Sequence, residues 1–154
     1  MNLKNTMITL LVVCVMLFAC VQINTDTIMA AADFTFDTTN GYITGYNGSD
    51  KDVVIPNEIA GYTIRGIKAG CFQKTDITTI VIPDTITEIK ENVFNGCSHL
   101  KEIHMSNNIV SIGEYAFAGC STIKKVEIPY SVKEVANNAF RDCTSLKKSL
   151  FRIA

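Results

Sequence analysis

Apolar residues along this chain recur on two scales. On the short scale, Ile80 and Ile82 alternate with Thr79, Val81 and Pro83, the period-two pattern of a strand with one buried face. On the long scale the pattern returns every 23 residues: Ile82, Met105 and Ile128 form one column, Phe94, Phe117 and Phe140 a second, and Cys97, Cys120 and Cys143 a third. Three columns sharing a period in this range mark a stacked architecture rather than a closed core. The expected fold is a repeat solenoid, mostly β with short helical turns, whose 23-residue coils stack in parallel.

The regular coils run Ile77 to His99, Leu100 to Thr122 and Ile123 to Ser145. Each opens with a strand that Pro83 or Pro129 ends, because proline cannot donate to a ladder. In the centre of the middle coil, Ile109, Ile112, Ala116 and Phe117 have spacings that also suit a short helix. β-Branched Val110 and Ile112, followed by Gly113, favour a short strand and then a tight turn of helix around Glu114 to Ala118. Gly96 and Gly119 mark the next bend, where Arg141-Asp142 stands in the last coil. One coil has too few inward side chains to offset the entropy of ordering its backbone, so the coils fold only by stacking, with the phenylalanines as a continuous buried spine.

The ends differ from the middle. Nine positions separate Ile55 from Ile64 where four separate Ile82 from Ile86, so five extra residues loop out around Gly61-Tyr62 in the first coil. From Thr144 a further coil starts, with Leu146 and Phe151 in register, but Ser149 falls at an apolar position and the coil is incomplete. That open edge is a place for edge-to-edge self-association. Ahead of the coils, residues 33–52 carry Asn40-Gly41 and Asn47-Gly48, pairs that favour tight hairpin turns, and are expected to cap the solenoid at residues 53–154.

Residues 1–32 read as an export signal: Lys4, then the apolar run Met7 to Val21, then Ala30 to Ala32, with the mature chain beginning near Asp33. The run is shorter than the roughly 18–20 residues of a membrane-crossing helix, so no transmembrane span is expected in the mature chain. An uncleaved anchor is the alternative, and lipid attachment at Cys20 a third reading, disfavoured by the bulk of Phe18. Asn47-Gly48-Ser49 is also a glycosylation acceptor in a eukaryotic setting.

Charge and chemistry narrow the function. The 154 residues carry a formal net charge of −1 with no block of like charge, so nucleic acid is not an expected partner. Cys97, Cys120 and Cys143 lack a local histidine or second cysteine at ligand spacing and read, like Cys71, as buried small hydrophobes that stay reduced. Asp50 and Asp52 beside Asn47 lack the spacing of a calcium loop. His99 and His104 have no triad partner at a recognisable motif, so neither catalysis nor a cofactor is expected.

The pattern Ile-x-Ile-Pro, Ile-Gly and Ala-Phe-x-Gly-Cys, carried by Ile128-Pro129, Val132, Ile112-Gly113 and Ala116-Phe117-Ala118-Gly119-Cys120, resembles the BspA-like leucine-rich repeat family. The likeness spans Val53 to Phe151, and Phe34 to Pro56 looks like the family's usual N-terminal opening. It implies a secreted or surface-bound protein that attaches to a protein partner on a host matrix or a neighbouring cell. The candidate binding face is the outward side of the strands: Thr79, Glu102, Lys125 and Lys148 in one column, Val81, His104 and Glu127 in the next. The alternative is a truncated or structural fragment of a longer surface array with no ligand of its own.

Overall fold

The computed structural model describes residues 32–151, with side chains through Lys147. The expected leader, including Cys20, lies outside the described residues. Two stacks of short parallel strands run the length of the molecule. The first begins with β3 (Asp52–Val54), β7 (Thr79–Val81) and β9 (Glu102–His104), hydrogen-bonded in that order, and continues with β11 (Lys125–Ile128) and β13 (Lys148–Phe151). The second contains β6 (Gly66–Ile67), then β8 (Glu88–Ile89), β10 (Ser111–Ile112) and β12 (Glu134–Val135), the last three in one ladder. Thr79 pairs with Glu102 and Ser111 with Glu134, each partner 23 residues away. The period read from the sequence is therefore the coil length.

Why two strands per coil follows from what lies inward. Ile80, Ile82, Ile86, Ile89, Phe94, Cys97 and Leu100 of one coil are all buried, and their spacing changes from two to larger steps wherever the chain turns a corner. Pro83 and Pro129 follow the first strand and release the chain into that corner. The five extra residues expected near Gly61-Tyr62 form a small antiparallel hairpin, β4 (Glu58–Ile59) with β5 (Tyr62–Thr63), closed by a 2.8 Å bond from Ile64 N to Asn57 O.

The tight turn around Glu114 to Ala118 is built from separate single turns rather than a continuous helix. Ala116 N donates to Gly113 O (3.3 Å) and Ala118 N to Tyr115 O (3.1 Å), while Phe117 N and Gly119 N leave the coil and donate to Ala139 O and Arg141 O of the next. Half the amides are thus committed to stacking, which a helix would forbid by using them internally. This wiring needs left-handed residues at fixed points: Gly96 (φ 76°) and Gly119 (φ 71°), with Asp142 (φ 57°) at the same place in the last coil. Aspartate tolerates that region better than most side chains, which accounts for the Arg141-Asp142 variant.

At the N-terminal end, β1 (Phe34–Asp37) and β2 (Tyr42–Tyr46) form an antiparallel pair, and β2 joins β6 in parallel. The turn between them uses Gly41 (φ 73°), and the Asp37 carboxylate accepts bonds from Thr39 N and Oγ1, which hold it below the usual carboxylate range. Asn47-Gly48, expected as a second hairpin turn, instead lies in the connection from β2 to β3 and has no positive φ. Glycine is required there by close approach: a Cβ on Gly48 would fall 2.4 Å from the Tyr46 hydroxyl oxygen. Phe34 and Tyr46 pack on Phe72 with ring centroids 6.4 and 5.4 Å away, so the hairpin covers that end of the core.

Candidate functional site

Opposite the strands, the corner of each coil forms a continuous column. Phe72, Phe94, Phe117 and Phe140 stack with centroids 5.3, 5.1 and 5.2 Å apart. Beside them the cysteines make a second ladder. Cys97 Sγ donates to Phe72 O (3.0 Å), Cys120 Sγ to Phe94 O (3.2 Å) and Cys143 Sγ to Phe117 O (3.1 Å), each thiol reaching the coil before its own. Burial disfavours the thiolate and raises the pKa of all three thiols above its ordinary value, and pushes that of Cys71 up to about 12. All four thiols are free; Cys97 and Cys120 are buried as expected, Cys71 and Cys143 only half-buried, and Cys97, Cys120 and Cys143 act as hydrogen-bond donors.

The outward strand face carries the residues singled out from the sequence. Glu102, His104, Lys125 and Glu127 are exposed, whereas Thr79 and Val81 are half-buried. Backbone register sets Thr79 against Glu102, Val81 against His104 and Lys125 against Lys148. The first coil extends both columns with Asp52 and Val54, the latter 58% exposed. Sequence reasoning missed this pair because the irregular first coil breaks the 23-residue spacing. Lys125 Nζ bonds Glu127 Oε1 at 2.6 Å, so the charge of that pair is internally matched, and His104 Nε2 lies 3.6 Å from Glu102 Oε2.

The face is not continuous. The strands fall into two hydrogen-bonded groups, β3-β7-β9 and β11-β13, with the ladder interrupted between β9 and β11. Lys101 N and Glu102 N both donate to Thr78 O, and Thr78 N and Thr79 N to Lys51 O. Among the described residues, no equivalent bond from Lys124 or Lys125 reaches Lys101 O. Instead the Thr122 hydroxyl donates to Leu100 O at 2.7 Å. Ile103 and Met105 are consequently half-buried, where their column mates Ile80, Ile82, Val126 and Ile128 are at most 2% exposed.

The interruption opens a cleft of about 710 Å³ lined by half-buried Ile103, Thr122 and Ser145 and by exposed Lys101, Lys124 and Lys125, with Glu102, His104 and Glu127 completing the wall. A smaller depression of about 350 Å³ lies where Tyr46 and residues 48–51 meet Lys74 to Ile77, at the junction of the hairpin with the first coil. Among the described residues no group of three or more His, Cys, Asp or Glu could hold a metal.

Residues 65–152, more than half of the chain, match the family model described as BspA type leucine-rich repeat region (6 copies). The chain belongs to this BspA-type leucine-rich repeat family. Its fold is shared by a leucine-rich repeat protein from Bacteroides capillosus, 28% identical with a TM-score of 0.67 over 75% of this chain and 90% of that one. A leucine-rich repeat protein of T. pallidum is 24% identical, with a TM-score of 0.63 over 77% of this chain and 69% of its own. A leucine-rich cell surface protein from Faecalibacterium prausnitzii is 20% identical, with a TM-score of 0.50 over 75% and 52% of the two chains. No curated protein matches the sequence.

Proposed function

We propose that this BspA-type repeat chain is an exported, surface-exposed protein-binding module that attaches to a host matrix or to a neighbouring cell through its outward strand face. The observation that carries this reading is the arrangement of the strands. Their inward residues make the core while Glu102, His104, Lys125 and Glu127 stay exposed in adjacent columns, so the face varies at little cost to folding. Extended surfaces of this kind are how repeat proteins commonly meet their partners. The leader at residues 1–32 supports export, as does the surface location of the F. prausnitzii relative. Among the described residues β13 pairs only with β11, and self-association at its other edge belongs to the same reading, since a free strand edge is a template for another strand.

Charge reversal at Glu102, Lys125 and Glu127 together tests it. Each change is expected to cost within about 0.5 kcal/mol of stability, while adhesion to immobilised matrix protein or whole partner cells falls. A folded triple variant that adheres as well as the parent would reject the strand face as the binding surface.

A further inference from the structure

The 23-residue period hides a charge column. Lys101, Lys124 and Lys147 occupy the position just before the first strand of three successive coils, and Lys51 the corresponding place before β3. Backbone bonds align them in two groups that meet at the interrupted junction: Thr78 N to Lys51 O and Lys101 N to Thr78 O in one, Lys147 N to Lys124 O in the other. All four lysines are exposed, and none is among the salt bridges of the described residues. Scattered along the sequence, they make no run of like charge. The stacking gathers them into one basic edge whose members are separated by a coil rise, about 5 Å for neighbouring coils.

The same edge passes over the cleft left by the interrupted ladder, which Lys101 and Lys124 both line. The cleft joins the ammonium groups of Lys101 and Lys124 to a half-buried apolar group, Ile103, and to hydroxyls at Thr122 and Ser145; of the two carboxylates on its wall, Glu127 is bridged to Lys125 and Glu102 lies on the strand side. No Phe, Tyr or Trp lines it, so the single imidazole of His104 is its only ring and successive bases have no platform on which to stack. The cations are ammonium groups on flexible stems, with no arginine fork for bidentate phosphate recognition. Its volume of about 710 Å³ is in the range of sites that take a drug-sized molecule, enough for a short peptide segment but not a folded domain.

We infer that the column Lys101, Lys124 and Lys147, with the cleft at Ile103, binds an extended acidic peptide segment of a partner protein that carries an apolar residue among its carboxylates. The segment crosses the coils along the lysine column, its carboxylates meeting the ammonium groups and its apolar side chain entering the cleft beside Ile103. The long lysine stems absorb the mismatch between the coil rise and the roughly 6.7 Å repeat of same-side residues in an extended chain. This deepens the protein-binding reading and rests on it: the cleft shares Glu102, His104, Lys125 and Glu127 with the strand face, while the column Lys101, Lys124 and Lys147 lies outside the columns on which that reading depends.

The test is fluorescence anisotropy with a labelled peptide in which one valine is flanked on each side by several glutamates, titrated with the chain at low salt. The peptide should bind, weaken steeply as salt approaches about 0.15 M, and lose at least about ten-fold in affinity against the variant Lys101→Glu, Lys124→Glu, Lys147→Glu. A variant reversing Lys68 and Lys133, exposed lysines off the column, should bind as the parent does. Replacing the valine by serine should weaken binding further. Equal binding of the glutamine version of the peptide, or no loss in the column variant, would overturn the assignment. So would a sulfated glycan chain that binds the column more tightly than the peptide. If the peptide fails while adhesion still depends on Glu102, Lys125 and Glu127, the column is wrong and the strand-face reading stands.

Discussion

Two sides of the same coils behave differently. At the corner, Phe72, Phe94, Phe117 and Phe140 keep spacings of 5.1 to 5.3 Å, and Phe72 N, Phe94 N and Phe117 N each donate to the coil that follows. On the first sheet, the ladder runs through β9 and then stops before β11. The difference teaches where a solenoid can tolerate irregularity. The rings of Phe72, Phe94 and Phe117 are wholly inside and Phe140 is half-buried, so a gap there would strip phenylalanine of contacts and leave buried amides unpaired. The outer edge of the first sheet borders water, which satisfies what the neighbouring coil does not. The same place carries the exposed charges and the cleft, so openness and binding potential share one cause.

The largest expected effect breaks the corner. Phe117→Ala removes a ring stacked on both sides and should cost about 3–5 kcal/mol, whereas Met105→Ala, half-buried on the interrupted strand, should cost about 1 kcal/mol. Urea denaturation of both variants measures the contrast. Similar losses would mean that the two sides contribute alike.

A medium effect sharpens it through the thiols. Burial, the first cause in each case, raises the pKa of Cys71 to about 12 and holds those of Cys97, Cys120 and Cys143 up as well. An unfolded thiol ionises near pH 8.5 to 9. Above that range the unfolded chain loses protons that the folded chain keeps, so the thiol contribution is whole below about pH 9 and shrinks as pH rises towards 12. Urea midpoints from neutral to alkaline pH should therefore fall more steeply for the parent than for the double variant Cys71→Ala, Cys120→Ala. Parallel pH dependences would show that the buried thiols are not the titrating groups.

Much of this was legible in the sequence and the rest was not, for a common reason. The phenylalanine and cysteine columns, the strand starts and the extra loop of the first coil all follow from apolar spacing, because burial constrains residue type at every repeat. Leucine-like positions cannot vary freely, so Ile80, Ile103 and Val126 stay in register. The thiol-to-carbonyl bonds were hidden because small size alone explains a buried cysteine. Asn47-Gly48 misled because the pair also serves where an aromatic ring approaches the backbone. The break after β9 has no periodic mark beyond Met105-Ser106 in place of Ile-Pro. The lysine column was visible only by applying the 23-residue period to charged residues as well as to apolar ones.

Amide hydrogen exchange read residue by residue tests the contrast between corner and sheet most directly. Phe94, Phe117, Gly96 and Gly119 donate across the corner, and Lys101 and Glu102 donate across an intact strand junction, so all should exchange slowly. Lys124 and Lys125 face the interrupted junction and should exchange at least about ten-fold faster than Lys101 and Glu102 under the same conditions. Equal protection of Lys124 and Lys125 with Lys101 and Glu102 would show a continuous ladder in solution and contradict the account.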